Sequence, residues 1–238
     1  NGVAHEGEVA SRLGLAGIPS AAEVVALATH IELARVTGAR LHVCRVSAAE
    51  SVAMIRDAKA RGIAVTADVS INHLHLIDID IGHYDSNFRL SPPLRTARDR
   101  DALRAGVIDG TIDAVVSDHT PRPDDAKQLP FGEAAPGATG LEMLLSLVLR
   151  FAETAGVPLL EALGWITHRA AEAAKLSAGR IAVDHVADLC VFDPGAYRLI
   201  TRAGLRSAGK NSPFIGYELP GVVRATVAGG HIGYEATA

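Results

Sequence analysis

The stretch Ile112-Asp-Ala-Val-Val-Ser-Asp118-His119-Thr-Pro-Arg122 runs an apolar, β-branched segment straight into an acid, a histidine, a proline and an arginine. Polar chemistry is thereby delivered at the C-terminal end of a strand, where α/β folds keep their active sites. Asp118 is the first candidate for a metal ligand or a proton-transfer group, and its partners decide which.

Working outward, the segments before it repeat one grammar. Ala22, Val25, Ala26, Ile31, Leu33 and Ala34 recur at helical spacing, with Ser20 as the expected N-cap, Glu23 three residues on and Gly38 as the stop. Residues 41–46 read as a short strand, 49–60 as a helix ended by Gly62, and 63–69 as a β-branched strand. Residues 89–94 read as extended around Pro92-Pro93, 98–109 as a helix and 112–117 as the next strand. This alternation predicts parallel βα units, so four polar strand ends should converge on one rim: Arg45-Val46-Ser47, Asn72-His73, Ser91 and Asp118-His119. Helices are expected at 141–155, 159–164 and 167–176. After Gly179 short strands take over, and Gly229-Gly230 marks a hairpin between two β-rich runs. The expected division is an α/β unit over 1–178 and a β-rich appendage over 179–238.

Composition narrows the function. With 48% hydrophobic and 21% charged residues in 238, the chain can bury a large core and is no disordered segment. Its 23 Lys+Arg are outnumbered by 27 Asp+Glu, which leaves no basic field to attract nucleic acid. Cys44 and Cys190 lack CxxC spacing and are too few for a secreted disulfide scaffold, so a reduced, cytoplasmic protein is expected. The longest apolar stretches, such as 141–148, are too short to span a bilayer, and no basic-then-apolar leader is present; no membrane partner is expected. No methionine precedes Asn1, and residues 2–19 read as a loop with one short helical turn, so a fragment beginning mid-domain is expected.

Each candidate has an ordinary reading beside it. A histidine near a strand end is most often a hydrogen-bonded structural group, but the convergence of His73 with Asp118 makes it a ligand candidate. His75 alternates with His73, yet Leu74 and Leu76 flank it and a partly exposed histidine is expected. His42, followed by Val43-Cys44, is expected to be buried in its strand. The Gly-rich loop 130–140 precedes a helix whose free N–H groups can hold a carboxylate. It fits neither a P-loop nor a dinucleotide fingerprint, no GxSxG elbow is present, and neither cysteine has an evident basic partner. Asp124-Asp125 and the pair Asp78 and Asp80 are expected in solvated loops.

A set of short motifs in order ties these residues together: Gly14-Leu-Ala-Gly-Ile-Pro19 with Glu23, Thr66-Ala-Asp-Val69 then His73-Leu74, Pro92-Pro-Leu-Arg95, Asp109-Gly-Thr-Ile-Asp113, Ser117-Asp-His119, Pro130-Phe131, Gly140-Leu-Glu142, Ala187-Asp-Leu189, Phe192-Asp-Pro194 and Lys210-Asn-Ser-Pro-Phe214. Through them the chain resembles the dihydroorotases of the long bacterial type, in the amidohydrolase superfamily. The resemblance implies the C-terminal half of a (β/α)8 TIM-type barrel with a small β-sandwich appendage, starting after the fourth strand. It also implies zinc, held by an HxH pair on the first strand, a carboxylate from the fourth, histidines on the fifth and sixth, and an aspartate on the eighth.

On that template His73 matches the sixth-strand ligand, and Asp118 matches the eighth-strand ligand that is also the catalytic general base. The fifth-strand ligand, three residues after His42, is replaced by Arg45, a permanent cation with no lone pair for a metal. The substrate side is assigned to Ser91, Arg122, Pro136 and Gly137, with Ser91 in place of the family's asparagine and Arg122 in place of its histidine.

The leading expectation is a dihydroorotase homologue of pyrimidine synthesis with a degenerate metal site, weak or no catalysis and no zinc, acting as a structural partner of aspartate transcarbamoylase. The rival is an active zinc dihydroorotase that hydrolyses the small molecule dihydroorotate to carbamoyl aspartate, with further ligands in a missing N-terminal half. A bare half-barrel without independent function is the blandest alternative. Its open strand edges would need a mate, so a homo-oligomer is expected.

Overall fold

A computed structural model describes residues 2–236. The chain forms β1 (Ala4–His5), α1 (Glu8–Leu13), β2 (Gly17–Ile18), α2 (Ser20–Thr37), β3 (Leu41–Val43), α3 (Ala49–Ala60), β4 (Val65–Ser70), α4 (Ile71–His75), α5 (Ala97–Ile108) and β5 (Ala114–Val116). It continues with α6 (Leu144–Ala155), α7 (Leu159–Gly164), α8 (His168–Ala174), β6 (Leu189–Leu199), β7 (Glu218–Ala228) and β8 (His231–Glu235). The fold is α/β.

Three parallel strands in the order β3-β4-β5 form the sheet that carries the rim, with His42 opposite Thr66 and Asp68 opposite Ala114. Val65, Ala67 and Val69 of β4 are buried in the main core with Ile55, Leu103, Ile112, Leu147, Phe151 and Trp165. Burial on both sides of a central parallel strand is what near-continuous apolar runs encode. The helix at 49–60 forms as its periodicity predicts, and the helix expected at 98–109 forms one residue earlier.

Several expectations are corrected. Residues 89–94 form no strand; Pro92 and Pro93 have no N–H to give a ladder, so the segment crosses the rim as a loop. Residues 2–19 are more than a loop with one turn, because β1 and β2 pair in parallel on either side of α1. Ser20 is the first residue of α2 and makes no cap bond; Pro19 occupies the cap position.

Glu23 leaves the expected capping box altogether. Its carboxylate accepts from the amides of Ser47 and Ala48 at 3.1 and 3.0 Å and from the Ser47 hydroxyl, at the N-terminal end of α3. Asp99, which caps its own helix through Thr96, also accepts from Ala49 N at 2.9 Å. Two carboxylates from neighbouring helices thus satisfy the orphan amides of α3 and complement its dipole.

The C-terminal segment is an antiparallel sheet in the order β6-β7-β8, turned at Gly229-Gly230 as expected. β6 runs past Pro194 to Leu199 because the register shifts between Asp193 and Tyr197, which keeps the proline out of the ladder. α6 packs on β7, and the Ser146 hydroxyl donates to the Gly221 carbonyl at 3.3 Å. No helix among the described residues is long and apolar enough to cross a membrane.

Candidate functional site

The rim is built where extended backbone breaks. Arg45, just beyond β3, has φ 56°, and Asp118, just beyond β5, has φ 47°. Both are non-glycine residues in the left-handed region, a conformation that costs on the order of 1–2 kcal/mol each and concentrates at functional sites. The turn at Arg45 is held by its amide, which donates to Asp68 Oδ1 at 2.8 Å.

The two side chains meet. Arg45 Nη1 donates to Asp118 Oδ1 at 3.2 Å and to the Ser91 carbonyl at 2.9 Å. Asp118 is 9% exposed at its side chain and Arg45 44%. Arg45, Ser91 and Asp118 therefore do converge, although Ser91 arrives on a loop.

His73 lies in α4, directly after β4, and is fully buried. Its Nε2 stands 3.1 Å from the Pro93 carbonyl, so that nitrogen carries the proton and Nδ1 presents a lone pair. Nδ1 is buried and has no hydrogen-bond partner among the described residues. Burial pushes the His73 pKa below its ordinary value, with the Pro93 carbonyl and the Asp118 charge acting in the opposite direction.

His119 faces the other way. Its Nδ1 accepts from the amides of Gly140 and Leu141, both at 3.2 Å, so the helix-start amides expected to hold a carboxylate are occupied by an imidazole. Gly140 is required there: a Cβ would lie 2.3 Å from the Ser117 carbonyl oxygen.

The substrate-side residues interlock. Arg122 Nε donates to the Pro136 carbonyl at 3.0 Å, and the Gly137 carbonyl accepts from Asn211 Nδ2 at 3.0 Å. Gly137 has φ 124°, and a Cβ on it would strike Thr120 at 2.6 Å. Asn211 also donates to the Thr120 carbonyl at 3.1 Å and accepts from the Arg122 amide at 2.8 Å and the Thr139 hydroxyl at 3.1 Å. This buried amide clamps loops 118–122 and 136–139 together. The Lys210–Phe214 motif was visible in the sequence, but its clamping role was not.

Arg95, which the Pro92–Arg95 motif includes without assigning it a role, is buried. It donates to Ser47 Oγ at 3.1 Å and the Ile18 carbonyl at 2.9 Å, stands 3.1 Å from His5 Nδ1, and pairs with Glu23 at 3.8 Å.

Among the remaining expectations, His75 is partly buried as expected and lies 2.9 Å from the Leu147 carbonyl; burial, foremost, lowers its pKa to about 4. His42 is corrected: its side chain is 37% exposed, because β3 is the edge strand of its sheet among the described residues. Asp78 is buried rather than solvated, which raises its pKa. Asp80 and Asp124 are exposed, the latter paired with Arg202 at 2.6 Å.

A catalytic zinc needs about three protein ligands and an open position. Here the rim supplies one imidazole lone pair, from His73, and one carboxylate, from Asp118, whose Oδ1 already faces a guanidinium. The orphaned Nδ1 of His73 and the Asp118 carboxylate fit ligand roles; the Arg45 guanidinium, with no lone pair to offer, does not. A divalent ion beside Arg45 would gather three positive charges around one carboxylate, which the donors present cannot offset.

Residues 4–233 match the amidohydrolase family. The chain is 42% identical over 234 residues to a dihydroorotase-like protein of Pseudomonas aeruginosa, covering 98% of this chain and 55% of that protein. It is likewise 42% identical over 238 residues to a dihydroorotase of Bacillus caldolyticus, covering 98% of this chain and 55% of that enzyme. It therefore spans about half the length of the curated relatives it matches. An L-hydantoinase (dihydropyrimidinase) from Arthrobacter aurescens superimposes with a TM-score of 0.87 at 25% identity, over 94% of this chain and 51% of that one.

Proposed function

The chain belongs to the amidohydrolase family, and from that premise we propose that it is a dihydroorotase-like homologue of pyrimidine synthesis whose metal site is degenerate and whose catalysis is weak or absent. The observation that carries this reading is the 3.2 Å contact between Arg45 and Asp118. A permanent cation stands where the resemblance expects a ligand histidine, and it neutralises the carboxylate that would otherwise orient and deprotonate water.

On this reading residues 1–178 are the later half of a TIM-type barrel and 179–238 its β appendage. The parallel βα units and the separate antiparallel sheet support that division. Ser91, Arg122, Pro136 and Gly137 are the substrate-side positions, with Arg122 able to pair with a carboxylate of a small-molecule substrate. A structural role, with aspartate transcarbamoylase as the partner, follows from the same reading, as do a homo-oligomer and a cytoplasmic location.

The test is turnover of dihydroorotate with zinc supplied, for the natural protein and for Arg45→His. The expected outcome is little or no turnover in both, because Ser91 and Arg122 remain in the variant. Robust turnover by the natural protein would overturn the reading in favour of an active hydrolase, with His73 and Asp118 among its ligands. Co-purification with the transcarbamoylase tests the structural role separately.

A further inference from the structure

The first two strands of the β3-β4-β5 sheet carry a second group of metal-ligating atoms that the rim does not use. His42 lies in β3 and Cys44 directly follows its last residue, Val43. His42 is opposite Thr66 and Val43 opposite Ala67, which brings Asp68 alongside Cys44. One ligand atom from each of His42, Cys44 and Asp68 lies within 4.8 Å of the others.

Two of the three donors, His42 and Asp68, are already oriented by a neighbour. His42 Nδ1 is 2.8 Å from the Thr66 hydroxyl, whose own proton points to the Leu41 carbonyl at 3.5 Å. Asp68 Oδ1 accepts from the Arg45 amide at 2.8 Å. Those bonds leave His42 Nε2 and Asp68 Oδ2 facing each other at 3.0 Å, with the Cys44 thiol beside them. Outer hydrogen bonds of this kind fix ring tautomer and carboxylate direction in metal sites. The Arg45 guanidinium is hydrogen-bonded to Asp118 and Ser91, and its charge favours the Cys44 thiolate while burial and the Asp68 charge oppose it.

We propose that His42, Cys44 and Asp68 bind a single divalent cation of the zinc or cobalt class through Nε2, Sγ and Oδ2. One nitrogen, one thiolate and one carboxylate form a borderline-soft set that suits these ions and disfavours magnesium or calcium. Binding exchanges a proton for metal: the Cys44 thiol gives up its proton, while the imidazole keeps its proton on Nδ1 toward the Thr66 hydroxyl and offers Nε2. The partial exposure of His42 lets solvent reach the ion and complete its coordination. This site adjoins the rim but shares neither His73 nor Asp118 with it, and stands whether or not the rim proves degenerate.

Cobalt(II) titration of the metal-free protein, followed by absorbance, tests it. Cobalt bound by a thiolate gives a near-ultraviolet charge-transfer band that nitrogen and oxygen ligands do not, so His73 and Asp118 cannot produce it. One cobalt per chain with this band, displaced by added zinc, is expected. Cys44→Ser should abolish the band, Cys190→Ser should leave it, and Thr66→Val, which removes only the outer bond to His42, should weaken binding roughly 10- to 100-fold. Circular dichroism of each variant separates loss of binding from loss of fold. Cobalt binding without the band, or a band lost with Cys190 instead of Cys44, would overturn the proposal.

Discussion

Two arginines meet carboxylates in this molecule on opposite terms. Arg95 is 3% exposed, and Ser47, Ile18, His5 and Glu23 surround its guanidinium. Arg45 is 44% exposed and holds its carboxylate by one nitrogen. The first is enclosed by groups that the fold itself must satisfy, so its charge is a structural element. The second stands at a strand end with strained backbone, and it decides what the rim can bind. The same residue pairing thus serves packing in one place and the electrostatics of a site in the other.

The largest effect that would break this contrast is at the buried pair. Arg95→Met leaves Glu23, His5 and Ser47 without their partner, and a loss of roughly 3–5 kcal/mol is expected in urea unfolding. A loss under about 1 kcal/mol would place the two arginines in one class.

An intermediate case sharpens it. Lys127 is buried near Arg89 and Arg122 with the Ser86 carbonyl as its acceptor at 2.7 Å, and burial, ahead of those two charges, lowers its pKa to about 8. The unfolded chain keeps this proton to about pH 10.4. Between these values the unfolded state binds more protons, so stability from this group rises with pH through that window. Lys127→Met should therefore stabilise the protein by about 1–2 kcal/mol at pH 7, with the gain shrinking from pH 8 upward. A gain independent of pH would show that packing, not charge, is responsible.

The smallest effect belongs to the rim. Arg45→Met should change stability by less than about 1 kcal/mol, since Arg45 is 44% exposed and holds Asp118 by one nitrogen only. A thermal melt that moves by many degrees would make Arg45 a structural residue after all.

What the sequence revealed follows the range of the interactions. The helix at 49–60 and the Gly229-Gly230 turn were legible because spacing and turn chemistry act over a few residues. Glu23 was misread because the i, i+3 pattern is local, whereas its real partners lie 24 and 25 positions on. The exposure of His42 depended on which strand lies at the sheet edge, a property of topology and not of any short window. The family resemblance flagged Arg45 as a misplaced cation, but its contact with a carboxylate 73 residues away needed coordinates. The convergence on a rim survived the loss of one expected strand, because a loop delivers Ser91 to the same place.

The Asn211 clamp carries a kinetic consequence. Its bonds to Arg122 and Thr120 close loops of 89 and 91 residues, among the longest-range contacts that shape the rim. Closing such loops costs entropy before any contact rewards it. During synthesis the βα units can collapse first, while Arg122 and Gly137 acquire their final positions only when the segment around Asn211 docks. The region that gives this protein its chemical character is therefore assembled by a residue outside the sheet that displays it.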